Sequence, residues 1–192
     1  MRDIDVRIAL RAALQVLHGD DSSTKIIEEL GLCERSSRID LAVVNGSLNG
    51  YEIKSARDTL ERLPGQMAVY SRVFDTVTIV TSESHADEVR EIVPHWWGIT
   101  LAGTANDGVE LASIREASAN PSVDPAALAT LLWRDEALAA LEARGLASGV
   151  RSKGRAEIWS RLSEELPAHE LNALVRETLK SRQGWRAPQP QK

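Results

Sequence analysis

Three features of this sequence predict an α/β fold: a central mixed β-sheet flanked by helices, with a C-terminal all-helical appendage. Strand-type and helix-type segments alternate over the first 118 residues in the order α-β-β-β-α-β-α-β-β. The segment "SANPSVDP" (118–125) then interrupts all periodicity with two prolines and small polar residues. Beyond it the chain is rich in Ala, Leu, Glu and Arg and carries only helical spacing. The expected organisation is a core over 1–118, a linker over 119–126, a helical region over 127–186 and a frayed tail over 187–192.

Taken in order, "DIDVRIALRAALQVLH" (3–18) places Val6, Leu10, Leu14 and Leu17 at helical spacing, with Asp3 as N-cap and Gly19 as stop. "IIEELGL" is a short strand, and "RIDLAVVNGSLNGYEIK" (38–54) is a hairpin. "ARDTLERLPGQMAVYSRVF" (56–74) fits a helix through Leu60, Leu63, Met67, Tyr70 and Phe74. Pro64 is expected to kink it and Asp58 to cap it. "TVTIVTS" is a β-branched strand, and "SHADEVREIV" a helix with Ser84 as its cap. "WGITLAG" and "VELASIREA" are two further strands joined by "TANDG". In the tail, helices are expected over 126–145, 155–166 and 168–182.

The hairpin raises a question, because Asp40, Glu52 and Lys54 stand in a segment patterned for burial, and buried charges are costly unless paired or metal-bound. Residues i and i+2 of a strand share a face, so Glu52 and Lys54 project together. A two-residue Asn45-Gly46 turn would put Asp40 opposite Tyr51 and separate the charges. A three-residue Asn45-Gly46-Ser47 loop, with Gly46 at positive φ, puts Val44 opposite Leu48 and Asp40 opposite Glu52. The second register sorts Ile39, Leu41, Val43, Tyr51 and Ile53 onto one apolar face and gathers the charges at the far end of the other. Two carboxylates directly across a strand pair repel unless a cation lies between them. Their oxygens suit Mg²⁺, and Lys54 is placed to hold a water or neutralise charge on a phosphate.

Composition narrows the classes. At 192 residues, 43% hydrophobic and 27% charged, the chain can bury a core, and its apolar runs are too short to span a bilayer. A single cysteine, Cys33, excludes an internal disulfide, and four scattered histidines show no zinc spacing. A cytoplasmic protein is expected. The net charge of −5 argues against a protein that coats nucleic acid, yet residues 151–192 hold nine Lys and Arg against five Asp and Glu.

Asp40 followed by Glu52-Ile53-Lys54 resembles the PD-(D/E)XK nuclease core, and Gln66 with Tyr70 resembles the QxxxY motif of its RecB-like members. "ELGLC", "RIDLAVVNG", "GYEIKSARDTLERLPGQ" and "WWGI" are similar to a group of bacterial and phage proteins with such a predicted domain. The resemblance covers roughly residues 25–118 in detail. It implies a restriction-endonuclease-like core and DNA hydrolysis. Asp40, Glu52 and the Ile53 carbonyl would bind Mg²⁺ or Mn²⁺, Lys54 would assist hydrolysis, and Gln66 and Tyr70 would complete the catalytic set. Two departures stand out. Ile39 replaces the motif proline, and the first helix lacks the metal-binding Glu of many members. Glu29 is the best substitute and Glu28 the fallback.

In the tail, "ALAALEARGLASGVRSKGRAEIWSRLSEEL" is similar to small SAP-like DNA-binding modules, with Arg151, Lys153 and Arg155 reaching phosphates. The alternative is a helical packing or dimerisation appendage. The expected partner is DNA, with RNA, a homodimer and a larger complex left open. The competing function is a catalytically silent nucleic-acid- or protein-binding module of a phage or bacterial defence or repair complex.

Overall fold

The computed structural model describes residues 2–19, 21–105 and 108–183, and the expected tail at 187–192 lies outside them. The chain divides into two compact units, Met1–Val123 and Asp124–Lys192. The first is α/β: a six-stranded mixed sheet with helices against it. Its elements run α1 (Asp3–His18), β1 (Lys25–Leu32), β2 (Ser37–Val44), β3 (Leu48–Lys54), α2 (Leu63–Tyr70), β4 (Thr76–Ser82), α3 (Ala86–Ile92), β5 (Gly98–Ala105) and β6 (Gly108–Arg115).

The strands lie in sequence order. β1, β2 and β3 form an antiparallel meander, β3, β4 and β5 run parallel, and β6 closes antiparallel on β5. Parallel neighbours need a crossover, which α2 and α3 supply. Helix α1 lays Val6, Leu10 and Leu14 on a buried cluster with Leu41, Val43, Ile53, Val80 and Ala102. Ala42, Val44 and Leu48 on the hairpin are buried too, as are Tyr70, Phe74 and Trp97. Gly50 belongs here because a Cβ on it would come within 2.6 Å of Ile39 Cδ1 and 3.0 Å of Phe74 Cδ2.

The hairpin adopts the three-residue loop, with Val44 opposite Leu48 and Leu41 opposite Tyr51. Gly46 is not at positive φ, however. The Asn45 side chain shapes the turn instead, its Oδ1 accepting from Ser47 N at 2.9 Å. Ile39 departs from the expected face as well, since it lies beside Gly50 and Phe74. Strand alternation breaks at Asp40, where the β2–β3 ladder has ended and Glu29 on the neighbouring strand holds φ 56°.

Other local expectations are corrected. Pro64 does not kink α2 but sits in its first turn, where its missing N–H costs nothing. Asp58 caps no helix; its Oδ2 accepts from Ser55 N at 2.8 Å and Ser55 Oγ at 2.6 Å, closing the loop after β3. The N-caps of α1 and α3 are Arg2 and His85 rather than Asp3 and Ser84.

The second unit contains α4 (Pro125–Ala129), α5 (Arg134–Glu142), α6 (Arg155–Glu165) and α7 (Ala168–Ser181). The single helix expected over 126–145 is therefore two. Trp133 is extended and its N–H donates to Glu136 Oε2 at 2.7 Å, which starts α5 afresh. Among the described residues no helix is long and apolar enough to cross a membrane.

Candidate active site

β2 and β3 stop pairing at Leu41 and Tyr51, and Asp40 and Glu52 are the next residues on the two strands. Asp40 fills the gap with its side chain. Its Oδ2 accepts the backbone N–H of Ile53 at 2.7 Å, so a carboxylate takes the place of a ladder carbonyl. Its Oδ1 accepts from Arg7 Nη2 of α1 at 2.5 Å. The same guanidinium donates to Asp3 Oδ1 at 3.3 Å and, through Nη1, to Glu29 Oε1. The other oxygen of Glu29 pairs with Arg38 Nε.

Glu52 anchors the second half of the cluster and is 2% exposed, beside Lys54 at 4%. Lys54 Nζ lies 2.9 Å from Glu52 Oε1. Gln66 Nε2 donates to that oxygen at 2.6 Å and to the Tyr70 hydroxyl at 3.2 Å. The hydroxyl stands 2.8 Å from Glu52 Oε2 and 2.7 Å from the Arg38 carbonyl. Helical i, i+4 spacing in α2 is what lets Gln66 and Tyr70 reach one carboxylate together. Trp97 stacks on the Tyr70 ring at 6.2 Å and 17°, fixing it from the side.

Burial, and then the charge of Glu52, push the Asp40 carboxyl up to about 7, against the opposing Ile53 N–H and Arg7. Burial, and then Glu52, likewise drive the Tyr70 hydroxyl upward, so it stays neutral at physiological pH. A raised acid binds its proton more tightly in the folded chain than in the unfolded one. The stability that Asp40 contributes is therefore fully present at low pH and is withdrawn as pH climbs from about 4 to about 7. In EDTA, the stability difference between wild type and Asp40→Asn should shift against wild type by roughly 2–4 kcal/mol between pH 4.5 and 7.5, read by urea denaturation. A constant difference would mean that Asp40 is not held this way.

The arrangement brings together Asp40, Glu52, Lys54, Gln66, Tyr70, the backbone of Ile53 and Glu29. Glu28 is not among them, since it pairs with Arg11 at 3.1 Å. Among the described residues no group of three or more His, Cys, Asp or Glu side chains forms a ready cage for an ion. Mg²⁺ needs none, taking one or two carboxylates and completing its shell with water and phosphate. Asp40 and Glu52 are both hard oxygen donors, and the Glu52 charge raises the proton affinity of Asp40, so the pair suits it.

Sequence reasoning missed Arg7, which joins three of the carboxylates. The signal was present but weak. Arg7 follows the buried Val6 and stands at i+4 from Asp3, a pairing that equally describes a solvated helix edge. Arg151, Lys153 and Arg155 all lie exposed in the second unit, at and before the start of α6. Arg151 Nε pairs with Glu142 Oε1 at 3.1 Å, and the Arg155 guanidinium lies 5.5 Å from the centre of the Trp159 ring. Arg134 ties the loop down through the carbonyls of Arg151 and Lys153, at 2.8 and 3.0 Å from Nη2.

Residues 4–187 match the family described as bacteriophage P4 protein cII. The chain belongs to the phage P4 cII family. One curated relative, Protein cII of Enterobacteria phage P4, is 36% identical over 116 residues, which cover 60% of this chain and 44% of the relative. This cII-family chain thus aligns with less than half the length of that relative. Among solved structures, the SPO1766 protein of unknown function from Silicibacter pomeroyi aligns with a TM-score of 0.47 at 19% identity. The alignment covers 80% of this chain and 97% of that one.

Proposed function

We propose that this cII-family chain is a metal-dependent phosphodiesterase, an endo- or exonuclease acting on DNA in the cytoplasm with Mg²⁺ or Mn²⁺. The observation that carries the reading is the Asp40–Glu52 pair: two mutually repelling carboxylates on adjoining strands, with the Lys54 ammonium 2.9 Å from one of them. The PD-(D/E)XK resemblance of the same residues supports it. When bound, the ion would polarise a scissile phosphate and supply an activated water. Asp40 and Glu52 would hold it, with the Ile53 backbone and Glu29 at its edge. Lys54 would face the water and the charge developing on phosphate. Gln66 and Tyr70 act through Glu52 and are positioning residues.

Calorimetric titration of the purified chain with Mn²⁺ tests the centre. One ion should bind per chain, and Asp40→Ala should lose it. Wild type that binds no Mn²⁺ at millimolar concentration would remove the reading.

The exposed Arg151, Lys153 and Arg155 meet the nucleic-acid backbone in this reading. Neutralising all three should weaken DNA binding and lower the slope of log K against log salt by about 0.9 for each phosphate the protein no longer neutralises. Parallel titrations on RNA tell which nucleic acid is preferred. An unchanged slope would return the loop to a packing role.

A second reading, a catalytically silent nucleic-acid- or protein-binding module, is favoured by one feature. Arg7 and Lys54 already satisfy the carboxylates around them without any ion.

A further inference from the structure

Three acidic side chains converge on one guanidinium: Arg7 meets Asp40 Oδ1 at 2.5 Å, Asp3 Oδ1 at 3.3 Å and Glu29 Oε1. These oxygens are hard donors of the kind a divalent ion also takes, and the one on Asp40 belongs to the proposed metal pair. We infer that Arg7 is a resident counter-cation that occupies part of the metal position and must leave Asp40 before a divalent ion can bind there. The inference rests on the metal-centre reading above and concerns what controls access to that centre.

The geometry gives Arg7 the means to leave. Its side chain is 16% exposed, and those of Asp40 and Glu29 are 17% and 19% exposed, so this half of the cluster reaches solvent. Glu52 and Lys54, at 3% and 5%, are far more enclosed. Asp40 Oδ2 is fixed to the Ile53 N–H, and Oδ1 is the oxygen that Arg7 holds. An ion arriving at Oδ1 meets a positive charge within hydrogen-bond distance, and the two cannot share that oxygen without strong repulsion. Asp3 offers the alternative anchor. It stands one helical turn away and its side chain is 42% exposed, so the guanidinium can keep one carboxylate partner while releasing Asp40. Arg38, on the other oxygen of Glu29, retains a countercharge there after Arg7 moves.

The test compares Mn²⁺ affinity of wild type, Arg7→Met and Arg7→Lys by calorimetry at constant ionic strength, with thermal unfolding in EDTA and in saturating Mn²⁺ as an independent readout. Arg7→Met should bind Mn²⁺ tenfold tighter or more. It should melt lower than wild type in EDTA and gain more from Mn²⁺, because stabilisation by a ligand grows with its affinity. Arg7→Lys, which keeps the charge without the planar fork, should fall between and covers the case in which Arg7→Met fails to fold. Equal or weaker affinity in both variants, with wild type still binding Mn²⁺, would overturn the competition and leave the metal centre standing. No Mn²⁺ binding by wild type would remove the centre and the competition with it.

Discussion

Replacing Lys54 with alanine is expected to reduce DNA cleavage by about a hundredfold or more while Mn²⁺ and DNA binding are retained. That is the scale lost when one preorganised charge is withdrawn from a transition state. The expectation follows from position. Lys54 Nζ is 2.9 Å from Glu52 Oε1, whereas Asp40 is held by Ile53 N and by Arg7, so Asp40 keeps its place. Single-turnover rates separate the chemical step from binding. A Lys54→Ala chain that cleaves at the wild-type rate would assign the activity to a contaminant or to another site.

The second large effect is on stability. Glu52 and Lys54 are both buried, and removing one partner of a buried pair typically costs about 3–5 kcal/mol because the other is left charged and unpaired. Lys54→Met should approach that figure in metal-free protein. Glu52→Gln on top of it should recover much of the loss, since a neutral amide no longer needs the ammonium. Urea denaturation of the four members of the cycle measures the coupling. Near-additive losses would mean that Gln66 and Tyr70 alone satisfy Glu52, and the ion pair would then matter little to the fold. This destabilisation also fixes how the cleavage experiment is run: at a temperature where Lys54→Ala remains folded by circular dichroism.

Element order in the first unit was legible in the sequence because its strands are short and bounded by turn residues, and α1 carries one apolar stripe. The hairpin register was legible for a sharper reason. Only one loop length places Asp40 beside Glu52, and the pairing of Val44 with Leu48 follows that length. What parity could not foresee is the break in alternation at Asp40, which moves Ile39 to the Phe74 side. In the adjoining strand Glu29 holds φ 56°, a conformation no local residue preference announces for glutamate. Pro64 was misread because a proline inside an apolar period can either kink a helix or begin one, and the difference lies in where the preceding loop ends.

Arg7 shows the limit for the site itself. Its role comes from three partners at sequence separations of 4, 22 and 33 residues, and only the first lies within reach of a helical pattern. Gln66 and Tyr70 were accessible because both come from one helix, whereas the Arg38 carbonyl that also meets Tyr70 is 32 residues away. Gln66 Oε1 is buried and has no hydrogen-bond partner among the described residues.

The measurement that bears most directly on the central claim is cleavage itself. Purified wild-type chain is incubated with single-stranded, duplex, nicked and branched DNA and with RNA, in Mg²⁺ or Mn²⁺, beside EDTA controls and Asp40→Ala. The nuclease reading predicts that at least one DNA form is cut in the presence of the ion, and that cutting stops both in EDTA and in Asp40→Ala. Tight DNA binding with no cleavage of any form by wild type, or cleavage that survives in Asp40→Ala, would contradict it.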